Sequence, residues 1–138
     1  MATTCTDTND VSITGSSPFG AFNGRFGWAW YTGADCAETL NLRVESGPYA
    51  TIGQSVYLNL GFQEPLMLGT QKVKVAMADP KGTKVIDATG EVTLTHAEAL
   101  SSSAIVRVEG TLKVNDAGIM LTGHFAADHC PYLDFFCV

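Results

Sequence analysis

Charge is the first thing this sequence is short of. Only 16 % of its 138 residues are Asp, Glu, Lys or Arg, against about 25 % in an average soluble domain, which excludes a charged coil or an acidic disordered tail. Cations are scarcer still: 8 Lys and Arg face 14 Asp and Glu, for a net charge of −6. So few basic residues leave no footprint for a phosphate backbone and no polybasic membrane anchor, so nucleic acid is not an expected partner. Long apolar runs are missing too. No window approaches the ~18 apolar residues of a spanning helix, so no transmembrane segment is expected. The opening Met-Ala-Thr-Thr-Cys has neither the charged start nor the apolar middle of a signal peptide. Also absent are a CxxC pair, a Gly-x-Ser-x-Gly elbow and the spaced acidic loop of an EF-hand, so neither a cofactor nor a resident metal is expected.

What is present suits a β-protein. Leu, Ile, Val and Phe together number 34 of 138 residues, above the ~20 % below which a chain fails to build a core. Residues 1–138 are read as one domain. Fifteen Thr and 14 Gly, with frequent Val and aromatics, favour strands over helices. Alternation with a period of two marks Gly24 to Tyr31, Thr39 to Glu45, Val56 to Phe62 and Lys72 to Met77. Asp79-Pro80-Lys81-Gly82 has the residue order of a type I turn, so Lys72 to Met77 should hairpin onto Thr83 to Ile86. Further strands are expected at Glu91 to His96, Ala104 to Val114 and Gly118 to Ala126. Ala97 to Ser103 reads as a loop or a short helical turn, and in the last strand Ile119, Leu121 and Phe125 should point inward. The predicted fold is an all-β antiparallel sandwich, or a small barrel, of eight to nine strands rich in meander connections.

Four cysteines set the compartment. Cys5, Cys36, Cys130 and Cys137 are even in number and are read as two disulfides, with four buried thiols as the alternative. The expectation leans to Cys5 with Cys36 and Cys130 with Cys137, although three pairings are open. Disulfides imply a secreted, periplasmic or cell-surface location, and a natural signal sequence removed ahead of Met1.

The run from Glu91-Val-Thr-Leu-Thr through Ile105 to Val114 and Gly118 to Ala127, ending at Cys130, resembles the carboxy-terminal meander of uncharacterised bacterial secreted lipoproteins, myxobacterial ones among them. The resemblance covers the last third of the chain and implies an envelope β-sandwich without an established activity. In those relatives the lipid-bearing Cys follows an apolar, small-residue box; here Cys5 follows Ala2-Thr3-Thr4.

Several residues carry candidate chemistry. His124, Asp128, His129 and Cys130 crowd together, but their spacing matches no zinc pattern and an oxidised sulfur is no ligand, so an exposed strand histidine beside a cystine is favoured. His96, in phase with Val92 and Leu94, is expected at the rim of the core. Asp35, Glu38, Glu45, Glu64 and Glu91 are isolated carboxylates with no reason to pair for glycoside hydrolysis. Asp7, Asn9 and Asp10 read as a solvated turn. Phe26, Trp28 and Trp30 share one face opposite Gly27 and Ala29, which makes the aromatic face the expected core. If instead Trp28 or Trp30 is exposed, with Tyr31 and Tyr49 nearby, their rings offer a stacking surface for a sugar. Lys72, Lys74, Lys81 and Lys84 gather half of the basic residues in one hairpin and read as protection of an exposed sheet edge. The apolar tail around Phe135 and Phe136 either packs across the end of the domain or mediates assembly. The resulting expectation is a non-enzymatic envelope subunit acting in structure, adhesion or self-association with a protein partner. A carbohydrate-binding module and a small metal-binding protein or hydrolase are the alternatives.

Overall fold

Alternation of apolar and polar residues, repeated strand after strand, closes into a barrel here. The computed structural model describes residues 5–7, 9–32, 39–63, 66–99 and 105–133. The strands are β1 (Asp10–Ser17), β2 (Gly20–Gly24), β3 (Phe26–Thr32), β4 (Thr39–Glu45), β5 (Tyr57–Phe62), β6 (Gly69–Ala78), β7 (Val85–Ala99), β8 (Ile105–Asp116) and β9 (Ile119–Asp128). All pair antiparallel in one sheet of order β2-β1-β9-β8-β7-β6-β5-β4-β3. From β3 to β9 each strand pairs with its neighbour in sequence, and β9 returns to pair with β1. The all-β antiparallel fold is as expected, and its nine strands form one nearly closed, barrel-like sheet.

The two ends of the sheet meet along a seam. Ala29 of β3 forms a parallel bridge with His129, Cys130 donates its N–H to the Ala29 carbonyl at 2.8 Å, and Asn9 Nδ2 donates to the Gly27 carbonyl at 2.8 Å. These bonds satisfy backbone groups that an open edge would leave unpaired. Gly27 suits the seam because a Cβ there would lie 3.0 Å from Cγ2 of Val11.

Inside the barrel, alternate residues along the middle of the strands are buried. Leu40, Leu42 and Val44 of β4 meet Leu58 and Leu60 of β5, Val73 and Val75 of β6, and Leu121 and Phe125 of β9 in one continuous core. Burying each such side chain contributes roughly 1.5–3 kcal/mol, and the core fills the interior. The inward set expected for the last strand is found: Ile119, Leu121 and Phe125 are buried while Met120, Thr122 and His124 are exposed.

Several expectations are corrected. In β3 it is Ala29 and Tyr31 that join the main core. Phe26, Trp28 and Trp30 face outward, where Trp28 is nonetheless fully buried in a second cluster with Cys130 and Leu133. The seam explains the reversal: β3 crosses close to β1 there, and only small side chains fit between them. Cys5 pairs with Cys130, Cα atoms 5.5 Å apart and 125 residues apart in sequence, so neither expected cysteine pairing holds; Cys36 and Cys137 lie outside the described residues. Thr83 to Ile86 and Glu91 to His96 are not separate strands, since β7 runs unbroken from Val85 to Ala99. A register shift between Leu94 and His96 ends the alternation, so His96 is exposed and not at the core rim. β1 and β2 escaped the sequence reading, because Ser and Thr dilute the alternation around Val11 and Ile13. Finally, β6 is an interior strand, so its lysines protect no edge. Lys72 stands opposite Glu91, which stands opposite Lys113, and the Lys84 ammonium sits 5.6 Å from the Phe19 ring centroid.

Candidate surface trough

The outward face of β3 to β7 carries a polar depression, and the pairing registers explain its shape. One row across the strands reads Trp30, Asn41, Gly61, Lys74, Thr89; the next reads Trp28, Arg43, Asn59, Ala76, Asp87. A third places Tyr57, Ala78 and Val85 side by side. Gly61, Ala76 and Ala78 are too small to fill the surface, so they form a floor between larger neighbours. The resulting trough has two connected lobes. The larger, of about 650 Å³, is lined by Asn41, Asn59, Lys74 and Asp87 among others. The smaller, of about 320 Å³, is walled by Trp30, Arg43, Tyr57, Val85 and Leu133. Asn59 and Ala76 belong to both lobes.

The bank on the β3 side is held by a relay of bonds. The Trp30 indole N–H donates to Asn59 Oδ1 at 2.9 Å, and Asn59 Nδ2 donates to Asn41 Oδ1 at 3.1 Å. Asn41 is only 7 % exposed, so its amide is fixed before any ligand arrives. Next in line, the Arg43 guanidinium lies 3.9 Å above the Tyr57 ring and donates through Nε to Glu45 Oε2 at 2.6 Å. Glu45 is 1 % exposed, and the Gly53 N–H bonds its carboxylate at 3.1 Å. A buried carboxylate with a guanidinium and an amide as partners is fully engaged, which suits a structural anchor. The opposite bank supplies exposed Lys74 and Asp87.

The residues singled out in the sequence distribute unevenly over this geometry. Of the four aromatics considered for a sugar surface, Trp30 alone lines the trough. Trp28 is fully buried and donates its indole N–H to the Thr6 carbonyl at 2.7 Å. Tyr31 is buried edge-on against His129, ring centroids 4.9 Å apart, and Tyr49 meets Trp28 edge-on at 5.7 Å. Asn41, Arg43, Tyr57, Asn59 and Lys74 were missed as site residues. Their signal was available: they are the outward positions of strands whose inward positions were read correctly, and Gly61 and Ala76 among them mark a gap in the surface.

The candidate metal set does not converge. His124 bonds Asp10 at 3.4 Å, Asp128 takes an N–H of Arg107 at 2.8 Å, His129 packs on Tyr31, and Cys130 is in the disulfide. Among the described residues no group of three His, Cys, Asp or Glu is arranged to hold a metal. Asp7, Asn9 and Asp10 point to three separate partners, Tyr49, Gly27 and His124. Glu91 faces lysines, Glu45 is anchored inside, and Asp35, Glu38 and Glu64 lie outside the described residues, as do Phe135 and Phe136. No helix among the described residues is long and apolar enough to cross a membrane. Compared with protein-family models, curated proteins and solved structures, the chain matches none.

Proposed function

We propose that the protein is a non-catalytic binding module of an oxidising compartment, secreted or at the cell envelope, that holds a segment of a saccharide chain in the outer trough. The observation that carries this reading is the relay Trp30, Asn59, Asn41 beside a floor of small residues. An indole ring offers a flat face to the C–H side of a sugar ring, and fixed amides offer paired donors and acceptors to hydroxyls. Lys74 and Asp87 add charge-assisted bonds from the far bank. The amides are already bonded to one another, so a ligand meets an ordered surface and less side-chain entropy is lost on binding. From Tyr57 to Gly61 the trough runs ~13 Å along the strand, about two to three sugar rings. The disulfide supports this compartment, since such bonds persist mainly outside reducing cytosol.

The assembly reading has less support. Its residues Phe135 and Phe136 lie outside the described residues, and the seam occupies the β3 edge at Gly27 and Ala29.

The test is a panel of oligosaccharides read by tryptophan fluorescence, with Gly61→Val as the matched control. A Cβ at Gly61 makes only ordinary contacts, 3.5 Å from Asn41 Oδ1 and 3.7 Å from Lys74 Cβ, so valine fits the strand while raising the floor. Binding by the native chain and its loss in Gly61→Val support the proposal; silence across the panel refutes it.

A further inference from the structure

Leu133 walls the trough beside Trp30, and a short chain of bonds decides where Leu133 sits. Its N–H donates to the Cys130 carbonyl at 3.1 Å, and the Cys130 N–H donates to the Ala29 carbonyl at 2.8 Å. The Cys130 sulfur is bonded to Cys5. That bond also draws the amino-terminal arm down onto the outside of β3, where the Thr6 carbonyl accepts the Trp28 indole N–H and Asp7 Oδ1 accepts the Tyr49 N–H at 2.9 Å.

Trp28, Cys130 and Leu133 form a buried cluster of their own, with Cys5, Trp30, Tyr49 and Ile52 packed against it. The main core lies on the other side of the sheet and includes none of these residues. One cross-link therefore holds two chain ends over an outer cluster that adjoins the trough. A cluster this small has little apolar area of its own and is expected to open locally before the barrel does.

We propose that the Cys5–Cys130 disulfide is a latch on the Trp30 end of the trough: oxidised, it fixes the Leu133 wall and the Trp30 relay, and reduced, it releases them while the barrel stays folded. The functional consequence, ligand affinity that depends on thiol state, rests on the trough being the saccharide site. The reductant is a dithiol, either a small molecule or a protein of that class. One of its thiolates attacks a sulfur of the bridge and forms a mixed disulfide as the other cysteine leaves as a thiolate. The second thiol of the reductant then displaces the remaining cysteine. The bridge gains two electrons and, with two protons, becomes two thiols; the reductant departs as its disulfide.

The experiment needs no ligand. The chain has two tryptophans, so a proton–nitrogen correlation spectrum shows two indole N–H signals; exchange of the Trp30 signal with solvent reports the relay, and that of Trp28 reports the amino-terminal arm. Spectra are recorded for the native chain, for Cys5→Ser/Cys130→Ser, and for Leu133→Ala, which removes the wall with the bridge intact. In both variants the Trp30 indole, bonded to Asn59 in the native chain, is expected to exchange about tenfold faster or more, while core amides such as Leu112 and Val114 stay protected. An unchanged Trp30 signal in the double-serine variant overturns the proposal. So does loss of protection throughout β8, because the bridge would then hold the barrel and not the trough. Failure of the saccharide reading would appear only in the sugar panel and leaves this readout untouched.

Discussion

Trp30 on β3 and Asn59 on β5 are joined across the intervening β4 by a 2.9 Å hydrogen bond from the indole N–H to Oδ1. The bond spans two strands because Asn41, the β4 residue between them, is short enough to leave room, and it accepts from Asn59 in turn. Two tryptophans two residues apart on the same face therefore serve different ends. Trp28 is sealed under the disulfide, and Trp30 stands at the edge of an open trough.

That difference is measurable. Trp28→Ala should lower the free energy of unfolding by about 3–5 kcal/mol, the usual cost of emptying a fully buried aromatic site. Trp30→Ala, at a half-buried position, should cost about 1 kcal/mol and act mainly on binding. Urea denaturation of both variants checks the order; equal losses would contradict the placement of Trp30.

Glu45 anchors the Arg43 end of the trough from a buried position. Glu45→Ala leaves the Arg43 guanidinium and the Gly53 N–H without their carboxylate, and the expected loss is about 2–3 kcal/mol of stability. Arg43 should also lose its fixed pose over Tyr57. A denaturation curve gives the first effect, and a shift of the Tyr57 ring resonances gives the second.

The β6–β7 turn carries a pH-dependent contribution. The Thr83 hydroxyl bonds Asp79 Oδ2 at 2.6 Å, and this bond holds the Asp79 carboxyl below its ordinary value of 3.8 despite some opposing desolvation. A depressed folded value means that the turn is supported above about 3.8, the unfolded value, and loses that support as pH falls through the lower folded one. Carbon-detected titration should place Asp79 below 3.8, and Thr83→Val should move it upward.

The disulfide pairing is open to direct reading. Peptide mapping without reduction should recover a fragment joining Cys5 to Cys130. Cys36 and Cys137 then have only one another as partners within the chain, so a Cys5–Cys36 fragment would refute the seam as described.

Much of the barrel was legible because its interior is apolar and its period is two. The Asp79 to Gly82 turn and the inward set of β9 followed from residue type alone. What stayed hidden depended on three-dimensional closure. Nothing local to Phe26, Trp28 and Trp30 tells that β3 crosses close to β1, and that crossing put Gly27 and Ala29 inside and those three rings outside. The Cys5–Cys130 bond is equally non-local, joining the two chain ends only after β9 has returned to β1. The trough was missed for a related reason: it is built from cross-strand rows, and a row such as Trp30, Asn41, Gly61, Lys74 is scattered in sequence.

The most direct measurement is a nuclear magnetic resonance titration of the native, oxidised chain with an oligosaccharide selected from the panel. The account predicts saturable shifts confined to the Trp30 indole, the Asn41 and Asn59 side-chain amides and the backbone around Gly61 and Lys74. Shifts centred on the opposite side of the barrel, around Thr111 and His124, would contradict it.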